Sequence, residues 1–294
     1  MRALRDITDR HPVATFAVLA IAVSWTVWIP ALSAIDGPAA KAALIPGAFG
    51  PLVAGAVVTR MRGDSVRAWL ASTLSWRRSG RWYVAAVTLP LAVALGLGGV
   101  MVVLAGGFGN GTLRPAIAVF AFNMVFATVL GGGQEEFGWR GFALPSLQAR
   151  YDALTASLIV GLMWALWHAP LFVFDVYAMN AALYAVSVLA FAVVLTWLYN
   201  SSRACVPAAI LMHGSINASV NLPLQAVGGP SALPVPFAGL LAGGFGLVAI
   251  ALIAYYGPQT LSARDVMTPT WTDRTAATAE SALTAVQTEV TEAR

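Results

Sequence analysis

An all-α bundle of about eight membrane-spanning helices is the fold this sequence predicts, on three observations. Of its 294 residues, 59% are hydrophobic and only 10% are charged, with a mean hydropathy of +0.75. So little polar side chain cannot clothe a water-soluble core. Apolar windows of roughly 20 residues, enough for a helix to cross the hydrocarbon layer, recur along the chain. The arginines, finally, gather in alternate connections between those windows, as they do in multi-pass proteins.

The eight windows lie at about 12–32, 43–60, 82–106, 115–144, 153–174, 181–199, 204–222 and 236–256. The first ends in small residues, Ala31-Leu32-Ser33-Ala34, that suit a cleavage site. Its apolar region is too long for a signal peptide, however, and carries Trp25 and Trp28, so it reads as an uncleaved span. The connection 61–81, with Trp69 and Trp76 and with Trp82 just beyond it, reads as an amphipathic segment on the membrane surface or as a plain solvated linker. Glycines interrupt 131–144 and a proline interrupts the stretch around Pro207. Such breaks are tolerated at depth where neighbouring helices satisfy the freed backbone groups. Residues 1–260 read as one transmembrane domain. Residues 261–294, rich in Thr, Ala and Glu, read as a disordered polar tail.

Arg2, Arg5 and Arg10 precede the first window, and Arg60, Arg62, Arg67, Arg77, Arg78 and Arg81 follow the second. Arg150, Arg203, Arg264, Arg274 and Arg294 fall on that same side, against Lys41 and Arg114 on the other. Both termini are expected in the cytoplasm of a bacterial cell, with membrane lipid as the surrounding partner. The pI near 9.6 does not imply nucleic acid, because the basic residues form short clusters between apolar spans rather than one face. Cys205 is the sole cysteine, which excludes an intramolecular disulfide and a cysteine-based metal site.

Ionisable residues inside such spans mark functional sites by default. Gln134-Glu135-Glu136-Phe137-Gly138-Trp139-Arg140 holds three of them. Glu136 and Arg140 stand at i and i+4 and can pair, which leaves Glu135 without a partner in its own helix. An unpaired carboxylate in a partly dehydrated place suits general-base work on water; equally, both glutamates could line a wet cavity or pair with other helices. The fifth window carries Trp164-Ala165-Leu166-Trp167-His168, and the seventh carries His213-Gly214-Ser215-Ile216-Asn217, whose outer pair shares a helix face. Each alone reads as well as a hydrogen bond between helices. Counted at about 1.5 Å per residue from the cytoplasmic ends, Glu135 and His168 lie roughly 20 Å deep and His213 roughly 15 Å. A carboxylate, two imidazoles and a carboxamide at a similar level suit hydrolysis. No His-Glu-x-x-His helix, Gly-x-Ser-x-Gly elbow or Gly-x-Gly-Asp motif is present, and Ser215 has no downstream histidine as its base.

Glu135-Glu136-x-x-x-Arg140 with Gly141-Phe142-Ala143-Leu144-Pro145 and Leu147-Gln148, then Trp164-x-x-x-His168 with Pro170-Leu171-Phe172, then His213-x-x-x-Asn217, resembles the CAAX prenyl protease and bacteriocin-processing (CPBP, or Abi) family of intramembrane endopeptidases. The motifs occupy a core at about 131–221. One departure is Trp164, where the motif usually has Phe; the position reads as a packing one. The resemblance implies peptide-bond hydrolysis in which Glu135 activates water with help from His168. His213 and Asn217 would stabilise the oxyanion, and Glu136 with Arg140 would hold the geometry. It favours no cofactor, the alternative being zinc held by Glu135, His168 and His213, a suitable ligand set for a catalytic metal. The implied substrate is a protein or peptide, prenylated or otherwise membrane-associated. Other classes are a non-proteolytic bacteriocin-immunity protein, which the intact motif set disfavours, and a small proton-coupled transporter, which the lack of repeats disfavours.

Overall fold

The computed structural model describes residues 2–35, 38–108, 113–177, 179–220, 222–228, 231 and 233–266, and among them every regular element is helical. In chain order these are α1 (Arg2–Arg10), α2 (Pro12–Ala34), α3 (Pro38–Gly47), α4 (Gly50–Met61), α5 (Val66–Thr73), α6 (Gly80–Leu104) and α7 (Leu113–Val129). A segment of mixed helical geometry over 133–143 leads into α8 (Leu144–Gln148). Then come α9 (Ala153–Trp167), α10 (Ala169–Val173), α11 (Ala181–Ser201), α12 (Val206–Ser219), α13 (Leu222–Val227) and α14 (Phe237–Tyr256).

Among the described residues, six stretches are long and apolar enough to cross a membrane: Pro12–Ala34, Ala42–Met61, Gly80–Leu104, Ile117–Gln148, Ala181–Ser201 and Phe237–Tyr256. The protein is an integral, multi-pass membrane protein. The remaining two windows of the expected eight fall on α9 and α12, of 15 and 14 residues, short of the roughly 20 a crossing takes. Pro170 explains the first: with no N–H to continue the ladder, the chain stops α9 at Trp167 and restarts as α10 at Ala169. Before α12, a tight turn with positive φ at Arg203 and Ala204 uses residues that would otherwise lengthen the helix.

Three helix groups converge on the segment 133–148. One is α2 with α3 and α4, a second α12 with α6 and α7, and a third α11 with α9 and α14. Local signals set the boundaries. Asp152 begins α9 by accepting from the Thr155 amide at 2.8 Å, which holds its carboxyl below the ordinary carboxylate range, and Asn180 does the same for α11 through Leu183 N–H at 3.0 Å. The next amides of α9, those of Ala153 and Leu154, donate to the carbonyls of Gln259 and Pro258, so the chain after α14 caps α9. Leu261 is fully buried there. The tail expected over 261–294 lies outside the described residues from 267 onward.

The connection 61–81 departs from a surface segment in one respect. Trp76 is 67% exposed, but Trp69 on α5 is buried and donates its indole N–H to the Gly141 carbonyl at 2.9 Å. An indole with one polar atom and a large apolar face is well used when a deep carbonyl needs a donor. Here α5 thereby ties to the segment that carries the glutamates.

Candidate active site

Between α7 and α8 the chain passes through three short turns of different helix type, and this places the acids. After Val129 the α-helical ladder ends; Gly133–Glu135 form a 3₁₀ turn, Glu136–Gly138 an α turn and Trp139–Ala143 a π turn. Such irregular turns cluster at functional sites because they re-aim side chains. Gly132 begins the sequence with φ +139°, a conformation that side-chain-bearing residues rarely adopt, and a Cβ there would stand 2.6 Å from both His213 Nε2 and Asn217 Nδ2. The imidazole and the carboxamide thus converge on bare backbone. Gln134 closes the turn by accepting from Gly132 N–H at 3.0 Å.

Glu136 is completely buried. Its Oε1 accepts from Arg140 Nη1 at 3.0 Å and from His213 Nδ1 at 2.7 Å, so the i,i+4 pair is in truth a triad that reaches across to α12. Glu135, one residue earlier, points elsewhere: its Oε2 accepts the Trp164 indole N–H of α9 at 2.8 Å. His168 sits just past the end of α9, where its Nδ1–H donates to the Trp164 carbonyl at 2.8 Å. In the neutral ring that leaves Nε2 with the lone pair. Asn217 donates Nδ2–H to the Gly131 carbonyl at 2.8 Å, pinning the chain just before the 3₁₀ turn.

Glu135 and His168 line one cavity of about 230 Å³. Its other walls, among them Trp28, Leu44, Phe126, Leu130 and Leu171, are apolar, and Tyr177 adds a phenol beside His168. His213 and Asn217 are not brought into that wall: both side chains lie against Gly132, and Asn217 reaches the cavity only through its bond to the carbonyl of Gly131, which lines it. Among the described residues, no three His, Cys, Asp or Glu side chains are grouped as a metal-binding set. One nitrogen of each imidazole is already engaged, Nδ1 of His213 by Glu136 and Nδ1 of His168 by Trp164.

Residues 115–219, which contain every residue of this constellation, match the model of the Rce1-like family, described as type II CAAX prenyl endopeptidase. The similarity covers this stretch, about a third of the chain. A curated relative, CAAX prenyl protease 2 of Methanococcus maripaludis, is 35% identical over 108 residues, 34% of this chain. The match covers about 40% of that relative's length.

Within the Rce1-like stretch, two contacts were not legible beforehand. The bond from His213 to Glu136 joins positions 77 apart in sequence, and no spacing rule addresses such a pair. Trp164, expected only to pack, packs and also donates to Glu135. Its indole nitrogen was the available signal, since a buried indole N–H ordinarily finds an acceptor.

Proposed function

We propose that the protein is an intramembrane endopeptidase that hydrolyses a peptide bond with water activated by Glu135. The observation that carries this reading is the placement of the Glu135 carboxylate and the His168 imidazole on the wall of one otherwise apolar cavity. Glu135 takes a proton from water as the oxygen attacks the carbonyl carbon, and His168 assists through Nε2. The tetrahedral oxyanion is met by His213 and the Asn217 carboxamide, and the proton taken from water passes to the leaving amine. Donation from His213 Nε2 requires a ring that keeps Nδ1–H on Glu136 as well. The buried Glu136 carboxylate accepts that Nδ1–H, and Arg140 orients the carboxylate in turn. No cofactor is assigned to the reaction.

The substrate in this proposal is a protein or peptide with an apolar segment or a prenyl chain near the scissile bond. Support comes from the apolar cavity walls and from the likeness to the archaeal CAAX prenyl protease 2. In this proposal both termini and the connection 61–81 lie in the cytoplasm of a bacterial cell and residues 1–260 form the protease domain; the excess of arginine on one side supports the orientation. In a Cys205→Ser background, a cysteine at the exposed position 71 should react with an impermeant thiol reagent only from the cytoplasmic side. Labelling from outside intact cells would reverse the topology.

Replacing Glu135 by Gln keeps the shape and removes the proton acceptor, so peptide hydrolysis in liposomes should fall by at least about 10²–10⁴-fold while the protein stays folded. Metal content and activity are to be measured together after exhaustive chelation. Activity lost with the metal and restored by stoichiometric zinc would replace the base role of Glu135 with a ligand role.

A further inference from the structure

We propose that Trp164 is a positioning residue whose indole N–H fixes the orientation of the Glu135 carboxylate; this rests on the reading of Glu135 as the base. The indole Nε1 and the carboxylate Oε2 are 2.8 Å apart, and both residues are buried. An indole N–H only donates, and a donor on a carboxylate oxygen forms one of the stronger hydrogen bonds available to a side chain. The last torsion of a glutamate is broad and roughly two-fold, so an unheld carboxylate would swing. With Oε2 tethered to the indole, that torsion is fixed, and with it the direction of the second oxygen.

The donor is itself held from three sides. Arg140 places its guanidinium carbon 5.1 Å from the centre of the Trp164 ring, and the His213 ring meets that indole edge-on at 5.0 Å. The Trp164 carbonyl, meanwhile, accepts from His168 Nδ1 at 2.8 Å. One residue therefore sets the orientation of Glu135 through its side chain and of His168 through its backbone. A phenylalanine, the usual residue at this place in the motif, could fill the space and keep the carbonyl bond but could not donate to Glu135.

The role predicts a loss in kcat with little change in KM, because the tether acts on the reacting groups and not on the substrate chain. Two replacements separate donor from volume. Trp164→Phe removes the N–H and part of the ring. Incorporation of 3-benzothienylalanine at position 164 keeps the bicyclic shape and puts sulfur where the N–H was. Both should lower kcat by about 10–100-fold, in keeping with the cost of small misplacements at a reacting centre, with KM within about twofold of wild type. Melting temperature should fall less in the benzothienyl protein than in Trp164→Phe, because the bicyclic volume is kept. A benzothienyl protein with wild-type kcat, or one in which KM rises while kcat holds, overturns the proposal. If instead Glu135→Gln retains hydrolysis, the base assignment fails and this role fails with it, whereas loss in Glu135→Gln beside full activity in the benzothienyl protein sinks the positioning role alone.

Discussion

Helix α6 and the segment 132–147 occupy the same membrane protein under opposite rules. On α6, Val84, Leu95 and Val103 face outward with 60%, 64% and 80% of their surface exposed. Over 132–147 every residue but Phe137 is buried, and the buried ones include Gln134, Glu135, Glu136 and Arg140. Hydrocarbon accepts any apolar side chain, so α6 is constrained in composition and hardly in identity. A charge taken out of water needs a partner at a defined distance, so along 132–147 identity, spacing and backbone geometry are all constrained. The contrast sets the candidate site apart: its acids stand where the helix stops being regular and almost none of their surface is exposed.

The largest expected effect among structural variants is at Glu136 and Arg140. Removing either partner of this buried pair leaves the other charge uncompensated, at a cost of about 3–5 kcal/mol, so Glu136→Ala and Arg140→Ala should both lower folded yield as well as activity. Glu136→Ala should be the worse, since it also strands His213. Full stability of both variants in a detergent melting assay would show that burial over 132–147 imposes less than the geometry implies. Asn217→Ala comes next. As an oxyanion donor, Asn217 should be worth roughly 10²–10³-fold in the chemical step. Asn217 also anchors the Gly131 carbonyl, so stability must be measured alongside. A loss confined to stability would make it a structural tie only. The smallest effect belongs to an apolar exchange on the lipid face. Leu95→Val should change stability by no more than about 0.5 kcal/mol, whereas Leu95→Arg should cost about 2.5–3.5 kcal/mol at a helix centre. Equal tolerance of the two would mean that α6 does not face lipid.

Much of the site was legible because its residues are expensive where they stand. Acids and imidazoles inside apolar windows stand out against their neighbours, and the i,i+4 spacing of Glu136 with Arg140 already gave the pair whose length is 3.0 Å. The count of spans was less legible. Hydropathy registers apolar content, and α9 with α10 is as apolar as a crossing helix, but Pro170 divides it. Trp69 went unrecognised as a core residue for a similar reason: an amphipathic ring suits an interface and a buried carbonyl equally well.

Sequence by itself determined that this chain lives in a membrane, that its charges mark one place, and that the place holds two glutamates, an arginine, two histidines and an asparagine. Those conclusions follow from transfer energetics and helical spacing, which act within a few residues. Tertiary structure alone decided which partner each polar atom takes: Trp164 for Glu135, His213 for Glu136, bare Gly132 for the convergence of His213 and Asn217. Those pairings join residues on separate helices, and only the packing of α9 and α12 around 132–148 brings their atoms within reach.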